Sequence, residues 1–215
     1  MPVICPTVTA ETPPHYHEQI ERIAKFAQRI HIDLMDGQFT PNKSPDADEV
    51  WWPVGIQADI HLMFKSPLEA VKILARHTPN LIIVHAEAEG DFNEVVKHCR
   101  GQGIKIGVAL LAKTDPDKIL PALSHIDHVM IYSGNLGYQG GSRADLGLLD
   151  KVRIIKSHKP SIEIGWDGGV NDQNVAELIN GGVDVLNAGG YIQKAEDPAR
   201  AYHSLQRIAD ETGTT

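Results

Sequence analysis

The regular alternation of short β-branched runs with longer helix-like stretches constrains the fold of this chain more than any other feature. Eight apolar runs begin near residues 2, 29, 57, 81, 105, 128, 161 and 183. Each run is too short for a typical helix and is rich in Ile, Val and Leu, which indicates buried strands. Strand–helix units of this regularity favour parallel strands joined by right-handed crossovers.

Eight such units can close a barrel, and a chain of 215 residues is long enough for a lean example. We therefore predict an α/β fold, a (β/α)8 TIM barrel formed by a single domain over residues 1–215. The alternative is an open doubly wound sheet. It is weakened because no G-x-G-x-x-G motif follows the first strand.

Helix starts are indicated where a capping residue precedes a proline. Ser66-Pro67, Asp115-Pro116 and Asp197-Pro198 have this pattern, and proline is well tolerated in the first turn of a helix. A further helix is predicted over Pro13–Gln28 from its apolar spacing.

Composition excludes several classes of protein. The formal net charge is −8 and no basic cluster is visible, so a nucleic-acid partner is not expected. No apolar run is long enough to span a membrane, and the first residues lack the basic region of a secretion signal. Two cysteines are too few for a disulfide scaffold, which favours a reducing, cytoplasmic location. The 11 histidines justify a search for a metal or acid–base site.

Acidic and imidazole side chains share one face of the second and third strands. His31 and Asp33 are two residues apart on the second strand, and His61 lies in the third. Because side chains alternate with period two, the apolar residues between them suit the helix layer and the polar face is expected to line the lumen. Hydrogen-bonded core histidines are the structural alternative. Two imidazoles with a carboxylate suit Zn, Fe, Mn or Co.

Glycines follow the last two strands, where this fold usually binds phosphate. The seventh strand runs into Asp167-Gly168-Gly169 and the eighth into Gly189-Gly190. Glycine lets backbone N–H groups approach an anion closely. Asp167 is expected at the same rim, facing the histidines across the barrel. The glycine-rich loop 135–141 after the sixth strand is interpreted as a flap over the phosphate, or else as a plain surface loop.

These motifs resemble the ribulose-phosphate 3-epimerase family. Residues 31–42 resemble its signature H-[VI]-D-x-M-D-G-x-F-x-P-N, and residues 59–63 resemble D-x-H-L-M. Residues 84–87 resemble V-H-x-E, residues 135–140 resemble N-P-G-F-G-G, and residues 167–169 resemble D-G-G. The order and spacing hold from residue 6 to about residue 200.

The resemblance implies an isomerase that inverts C3 of a ketose phosphate by a two-aspartate enediolate mechanism, with D-ribulose 5-phosphate as the first choice of substrate. Asp33 and Asp167 would be the acid–base pair. One divalent ion (Zn, Fe, Mn or Co) would be held by His31, Asp33, His61 and Asp167. The other expected partners are a sugar phosphate and further copies of the chain in a homo-oligomer. The expected substrate-binding residues are Thr7, His61, Tyr132, Gly137, Tyr138, Gln139, Gly140, Gly168, Gly169, Gly189 and Gly190.

The sixth strand and its loop depart from the family pattern. Tyr132 replaces a methionine, Leu136 replaces a proline, and Gln139 also differs. A six-carbon ketose phosphate such as D-allulose 6-phosphate therefore stays open as the substrate. Two roles are expected for Tyr132. Its hydroxyl contacts the substrate, or its ring only fills the volume of the methionine while the hydroxyl reaches water. His85 is expected to face inward as a structural residue, without an acidic neighbour.

Two other classes remain as alternatives. A phosphosugar lyase or decarboxylase on the same barrel would often use an inward lysine, for which Lys105 and Lys113 are the strand-adjacent candidates. A non-catalytic sugar-phosphate-binding barrel would have no need for two opposed carboxylates.

Overall fold

Eight parallel strands close into a barrel in a computed structural model that describes residues 1–214. Each strand pairs with its sequence neighbours, and the last pairs with the first. Every strand begins within two residues of the position predicted for it, so the single-domain (β/α)8 barrel is confirmed. The strands are β1 Val3–Thr9, β2 Arg29–Met35, β3 Gln57–Met63, β4 Leu81–His85, β5 Lys105–Leu111, β6 His128–Tyr132, β7 Glu163–Asp167 and β8 Val185–Ala188.

Helices cover the outside of the barrel. The α-helices are α1 Pro13–Ile23, α2 Leu68–Leu74, α3 Phe92–Gly101, α4 Leu149–His158, α5 Val175–Asn180, α6 Gly190–Gln193 and α7 Pro198–Gly213. Three 3₁₀ segments add to them, namely Ala75–His77, Pro116–His125 and Leu146–Leu148. Over residues 1–214, none of these helices combines the length and the apolar character needed to cross a bilayer.

The predicted strand–helix rhythm is wrong in two places. Residues 36–56, between β2 and β3, form a loop without a helix, since three prolines and two glycines interrupt it. The crossover after β5 is the 3₁₀ segment Pro116–His125, which contains Pro121. Asp115 caps that segment as predicted, by accepting a hydrogen bond from the Asp117 backbone N–H.

Two of the predicted helix ends also differ. Helix α1 stops at Ile23 rather than at Gln28. Helix α2 has Pro67 at its cap position without a side-chain cap, so Ser66 does not serve as one. At α7 the prediction is confirmed, because the Asp197 side chain accepts a hydrogen bond from the Arg200 backbone N–H.

The two faces of each strand have different surroundings. Along β2, Ile30, Ile32 and Leu34 join the large apolar core between the strands and the helices. The intervening side chains point into the lumen, as predicted, and Asp33 lies directly beside His61 in the β2–β3 register. A second apolar cluster fills the lumen from the opposite wall with Leu81, Ile83, Ala109, Met130 and Tyr132. Asp33 and His61 are therefore held in place by the paired strands.

A partly buried ion-pair network closes the amino-terminal end of the lumen. The Arg29 guanidinium donates to Asp59 at 2.7 Å and to both oxygens of Glu163 at 2.8 and 3.0 Å. His128 Nδ1 lies 2.8 Å from the same Glu163 carboxylate. Burial alone would raise the pKa of Glu163, but the contacts with His128 and Arg29 lower it below its usual range. Asp59 thus faces the lumen at its amino-terminal end.

This network predicts an acid-sensitive contribution to stability. We expect Glu163→Gln to lower the free energy of unfolding at neutral pH by about 1–3 kcal/mol, since the substitution leaves buried donors with a weaker acceptor. Because the pKa of Glu163 is lowered on folding, its contribution is present above the ordinary value of 4.5 and is lost as the pH falls below that value. Urea unfolding over a pH series should show the gap between wild type and variant closing on acidification.

Asp150→Asn provides the control, because Asp150 pairs with Arg153 at the exposed surface. Its effect on unfolding should be small at every pH. A gap between wild type and Glu163→Gln that stayed constant with pH would contradict this account of the network.

Candidate active site at the carboxyl ends of the strands

Four predicted ligands meet at the carboxyl end of the barrel. His31 and Asp33 come from β2, His61 from β3 and Asp167 from β7. One potential ligand atom from each residue lies within 4.8 Å of all the others. Asp33 Oδ1 lies 2.8 Å from His61 Nδ1 and 3.2 Å from His31 Nε2. Asp167 Oδ2 lies 3.7 Å from His31 Nε2. The β2–β3 register and the closure of the barrel together therefore assemble two nitrogens and two carboxylates around one point.

The two carboxylates of this cluster differ electrostatically. Burial raises the pKa of Asp167 to about 7, and the nearby Asp33 charge adds to that shift. Burial acts on Asp33 in the same direction, but its contacts with His31 and His61 outweigh it, so the pKa of Asp33 is lowered. The Thr9 hydroxyl also donates to Asp33 Oδ2 at 2.7 Å. The cluster thus pairs one carboxylate that stays ionised with one that readily holds a proton.

The donor set fits a divalent cation. The His31 ring is fully buried, and its Nδ1 finds no hydrogen-bond partner within residues 1–214. Its Nε2 lies 3.2 Å from Asp33 Oδ1 but forms no hydrogen bond with it. A buried polar atom without a partner is costly. A cation beside Nε2 would remove that cost and offset the two carboxylates. Two imidazoles with two carboxylates suit Zn, Fe, Mn or Co.

A cavity of about 260 Å³ opens directly onto this cluster. Asp33 and Asp167 line its floor, while His31 and His61 lie behind them, fully buried. Of the predicted substrate-binding residues, His61 and Gly137 do not line the cavity. The lining residues include the other nine, namely Thr7, Tyr132, Tyr138, Gln139, Gly140, Gly168, Gly169, Gly189 and Gly190.

Glycines allow the loops after β6, β7 and β8 to pack against one another above the cavity. Gly168 has φ +113°, and a Cβ there would lie 2.2 Å from the Gly134 backbone nitrogen. A Cβ on Gly190 would lie 2.8 Å from the Gly140 Cα. Larger residues at these two positions would force the loops apart. The predicted glycine-rich rim is therefore a place of close backbone approach.

The loop after β6 is tied across the mouth of the cavity. The Gln139 side-chain amide donates to Gln19 Oε1 at 2.8 Å and to the Thr7 carbonyl at 3.3 Å. The Asn42 side chain donates to the Gly137 carbonyl at 2.8 Å, which holds Gly137 on the outer side of the loop. These contacts join the β6 loop to β1, to α1 and to the loop after β2.

Tyr132 lies at the cavity wall, at the end of β6. Its ring centroid is 5.7 Å from that of His61, and its hydroxyl donates to the Asn135 carbonyl at 3.2 Å. Burial raises the pKa of this phenol, and the charge of Asp167 adds to the effect. The hydroxyl is thus a neutral donor at the rim, where it is hydrogen-bonded within its own loop.

Several residues that face the site were not predicted from the sequence. Lys194 lines the cavity and donates to the Gln139 carbonyl at 3.1 Å. No motif indicates Lys194, since it comes from the turn after the short helix α6. Thr9, Asn171 and Asn187 also line the cavity. For Thr9, the period-two alternation of β1 was an available signal.

The prediction that His85 lacks an acidic neighbour is wrong. His85 Nδ1 lies 3.2 Å from Glu87 Oε2, and His85 Nε2 lies 2.8 Å from His61 Nε2. Burial alone would raise the pKa of Glu87, but hydrogen bonds from His85 and Thr114 lower it to about 2. Glu87 follows β4 directly, so its approach to His85 depends on how the chain turns after the strand.

A second cavity, of about 240 Å³, lies outside the barrel wall near α2, α3 and the 3₁₀ segment after β5. Its lining is mainly apolar, with Val84, Phe92, Val95 and Ile119 among the residues. None of the four clustered ligands faces it. The cavity at the carboxyl ends of the strands is therefore the candidate active site.

Comparisons with known proteins identify the family of the chain. The chain matches the family described as "Ribulose-phosphate 3 epimerase family" over residues 3–193. It is 31% identical over 211 residues to a ribulose-phosphate 3-epimerase of Helicobacter pylori strain J99, covering 95% of this chain and 97% of that protein. It is 30% identical over 188 residues to the Bacillus subtilis strain 168 protein of the same name, covering 84% of this chain and 86% of that protein.

Solved structures share the fold at lower identity. The 3-hexulose-6-phosphate synthase of Salmonella typhimurium superimposes with a TM-score of 0.73 at 14% identity, over 99% of this chain and 100% of that one. The orotidine 5′-phosphate decarboxylase of Pyrococcus horikoshii OT3 gives 0.65 at 13% identity, over 98% and 99%. At such identities the likeness describes the barrel alone.

The cluster predicts a measurable affinity for metal. Protein stripped by a chelator should bind one Zn²⁺, Mn²⁺, Co²⁺ or Fe²⁺ per chain, and His31→Ala should weaken binding more than tenfold because it removes one of four ligands. Titration against a chromophoric chelator measures both quantities. His158→Ala, an exposed histidine on α4, should bind as wild type does. Unchanged affinity in His31→Ala would remove this residue from the ligand set.

Proposed function

Because the chain belongs to the ribulose-phosphate 3-epimerase family, we propose that it is an isomerase that interconverts D-ribulose 5-phosphate and D-xylulose 5-phosphate by inverting C3. One observation supports this most strongly. Two buried carboxylates, Asp33 of β2 and Asp167 of β7, line the floor of one cavity beside two histidines. A site that only bound the sugar would gain nothing from burying two like charges together.

Inversion at C3 requires removal of a proton from one face of the carbon and its return from the other. The strands β2 and β7 are separated by β1 and β8 around the barrel, so the two carboxylates reach the substrate from different walls. One carboxylate removes the proton while the other, in its protonated form, supplies one to the opposite face. In the reverse direction the roles exchange. The opposite pKa shifts of Asp33 and Asp167 suit such a division of labour.

His31, Asp33, His61 and Asp167 are the residues that would hold the divalent ion. When bound, the ion would stabilise the negative charge that develops on the oxygens next to C3, for several kcal/mol. The protein's own contribution is to fix the carboxylates. Thr9 orients Asp33 through its hydrogen bond, and the backbone of β7 carries Asp167. Met35 and Met63 are buried side by side, two residues beyond Asp33 and His61 in the β2–β3 register, and they would exclude water from the site.

The phosphate group of the substrate would bind where the loops after β7 and β8 line the cavity. Gly168 and Gly169 after β7 and Gly189 and Gly190 after β8 line it together with Lys194. Backbone N–H groups at glycines can approach a dianion closely, and the ammonium group adds a charge-assisted contact. Binding at this remote group would position C3 over the two carboxylates.

A six-carbon ketose phosphate, such as D-allulose 6-phosphate, is the second candidate substrate. The observation that favours it is Tyr132, a polar donor at the cavity wall where the family has a methionine. If the phenol turned from Asn135 toward the sugar, it could contact an additional hydroxyl group. Assays of both ketose phosphates with the wild-type protein separate the two candidates.

A lyase or decarboxylase that uses a strand lysine is disfavoured by the positions of its candidates. Lys105 is exposed at the start of β5, at the opposite end of the barrel, and Lys113 is exposed in the loop after β5. Neither residue lines the cavity. The homo-oligomeric state and the cytoplasmic location stay predictions.

The acid–base assignment is tested by removing each carboxylate charge. Asp33→Asn and Asp167→Asn should each lower kcat for D-ribulose 5-phosphate by about 10²–10⁴-fold, the usual worth of general acid–base catalysis. A coupled assay for D-xylulose 5-phosphate measures kcat, and metal content is determined on the same samples. Asp150→Asn is the control, because it makes the same chemical change on an exposed aspartate far from the cavity, and it should keep the wild-type kcat. A kcat within tenfold of wild type in both Asp33→Asn and Asp167→Asn would refute the two-carboxylate mechanism.

The phosphate assignment is tested at Lys194. We expect Lys194→Met, which keeps the aliphatic part of the side chain, to raise KM for the ketose phosphate roughly tenfold through loss of a charge-assisted hydrogen bond. With unphosphorylated D-ribulose, itself a poor substrate, wild type and variant should not differ. Lys118→Met, at the apolar cavity outside the barrel, should leave both substrates unaffected. An equal loss on both sugars would exclude contact with the phosphate.

A further inference from the structure

A continuous chain of buried hydrogen bonds leads from the ligand cluster to the loops after β4 and β5. His61 Nε2 lies 2.8 Å from His85 Nε2, and His85 Nδ1 lies 3.2 Å from Glu87 Oε2. The side chains of both histidines are 0% exposed. Each contact must be made by protein atoms, so the positions of the protons along the chain are linked.

The far end of this chain is a fixed acceptor. Glu87 Oε1 accepts hydrogen bonds from the Thr114 hydroxyl and from the Leu111 backbone N–H. Those two residues are held in turn by Lys151, whose ammonium group donates to both of their carbonyls. The other oxygen, Oε2, faces His85. Because an ionised carboxylate can only accept, His85 must present an N–H at Nδ1.

The proton at Nδ1 determines the rest of the chain. A neutral imidazole with its proton at Nδ1 has a lone pair at Nε2. His85 Nε2 therefore accepts, and His61 Nε2 must donate the proton between them. With its proton at Nε2, neutral His61 presents a lone pair at Nδ1, which lies 2.8 Å from Asp33 Oδ1 and 4.0 Å from Asp167 Oδ2. Without a cation, Nδ1 would instead donate to the ionised Asp33 carboxylate, within hydrogen-bond distance. The lone pair at Nδ1 is therefore favourable only when a cation lies between this nitrogen and the two carboxylates.

We propose that His85 and Glu87 are positioning residues that hold His61 in the tautomer able to bind a cation through Nδ1. The proposal rests on the cation site of the proposed function. The opposite tautomer would place the Nδ1 proton of His61 against Asp33, where it would occupy the position of the ion. It would also oppose the His85 lone pair to the Glu87 carboxylate. With a cation bound at Nδ1, the tautomer of His61 that carries its proton at Nε2 avoids both of these unfavourable contacts.

Ring packing keeps His85 in place for this role. Its ring centroid is 4.6 Å from that of Phe39, 4.9 Å from that of His61 and 5.9 Å from that of Tyr132. These ring contacts fix the position and the plane of the imidazole. A ligand histidine commonly donates its second N–H to a carboxylate or carbonyl. Here a second imidazole stands between the ligand and the carboxylate.

The test measures Zn²⁺ affinity and the His61 tautomer rather than turnover. Glu87→Gln should weaken Zn²⁺ binding by about 10–100-fold, the usual effect of losing an outer-shell partner of a ligand. The metal-free variant should still unfold in one cooperative transition, although at a lower temperature than wild type, because Glu87 accepts several hydrogen bonds. Glu89→Gln makes the same chemical change two residues away, on an exposed side chain paired with Lys65, and should bind Zn²⁺ as wild type does.

Histidine ¹⁵N NMR of the zinc-loaded wild type reads the proton positions directly. We expect the His61 proton at Nε2 and the His85 proton at Nδ1. A second pair of variants keeps the test independent of folding. His85→Gln can still accept from His61 and donate to Glu87 and should lose less affinity than His85→Leu, which can do neither.

The outcomes separate this proposal from the proposed function. Zn²⁺ binding by wild type with unchanged affinity in Glu87→Gln, or a His61 proton at Nδ1, would overturn the positioning role and leave the epimerase site intact. Failure of the wild-type protein to bind any divalent cation would overturn the site itself.

Discussion

The close approach of Asp33 to two imidazoles and a second carboxylate is the constraint on which the rest of the site depends. Parallel pairing of β2 with β3 places Asp33 beside His61, and closure of the barrel brings Asp167 from β7 to the same point. Burying two carboxylates together is unfavourable unless positive charge accompanies them. Protonated histidine, a proton shared with Asp167 or a bound cation can each supply it, so the cluster is suited to moving protons beside a metal.

The two ends of the lumen solve the problem of buried charge differently. At the amino-terminal end, Arg29 donates hydrogen bonds to Asp59 and Glu163. Both carboxylates thus have a cationic partner from the protein itself. At the carboxyl end, the ring nitrogens of His31 find no hydrogen-bond partner within residues 1–214. One end therefore stabilises the fold, while the other is left open to ligands, as is usual in this architecture.

The sequence predicts the barrel and most of the ligand cluster because both follow from local periodicity. Short β-branched runs locate the strands, and the alternation of side chains places His31, Asp33 and His61 on one face. Other features depend on how loops meet and could not be predicted in this way. Glu87 reaches His85 only because the loop after β4 meets Thr114, and Lys194 reaches the cavity only through the turn after α6. Residues 36–56 lack a helix because their prolines and glycines outweigh the rhythm of the rest of the chain.

Deuterium incorporation at C3 tests the central claim most directly, because C3 inversion through carboxylate acid–base chemistry must exchange that hydrogen with solvent. The wild-type protein loaded with metal is incubated with D-ribulose 5-phosphate in D₂O, and the sugar phosphates are examined by ¹H NMR. The account predicts D-xylulose 5-phosphate carrying deuterium at C3 and at no other carbon. Product that retains its C3 hydrogen, or exchange at C1 in its place, would contradict it.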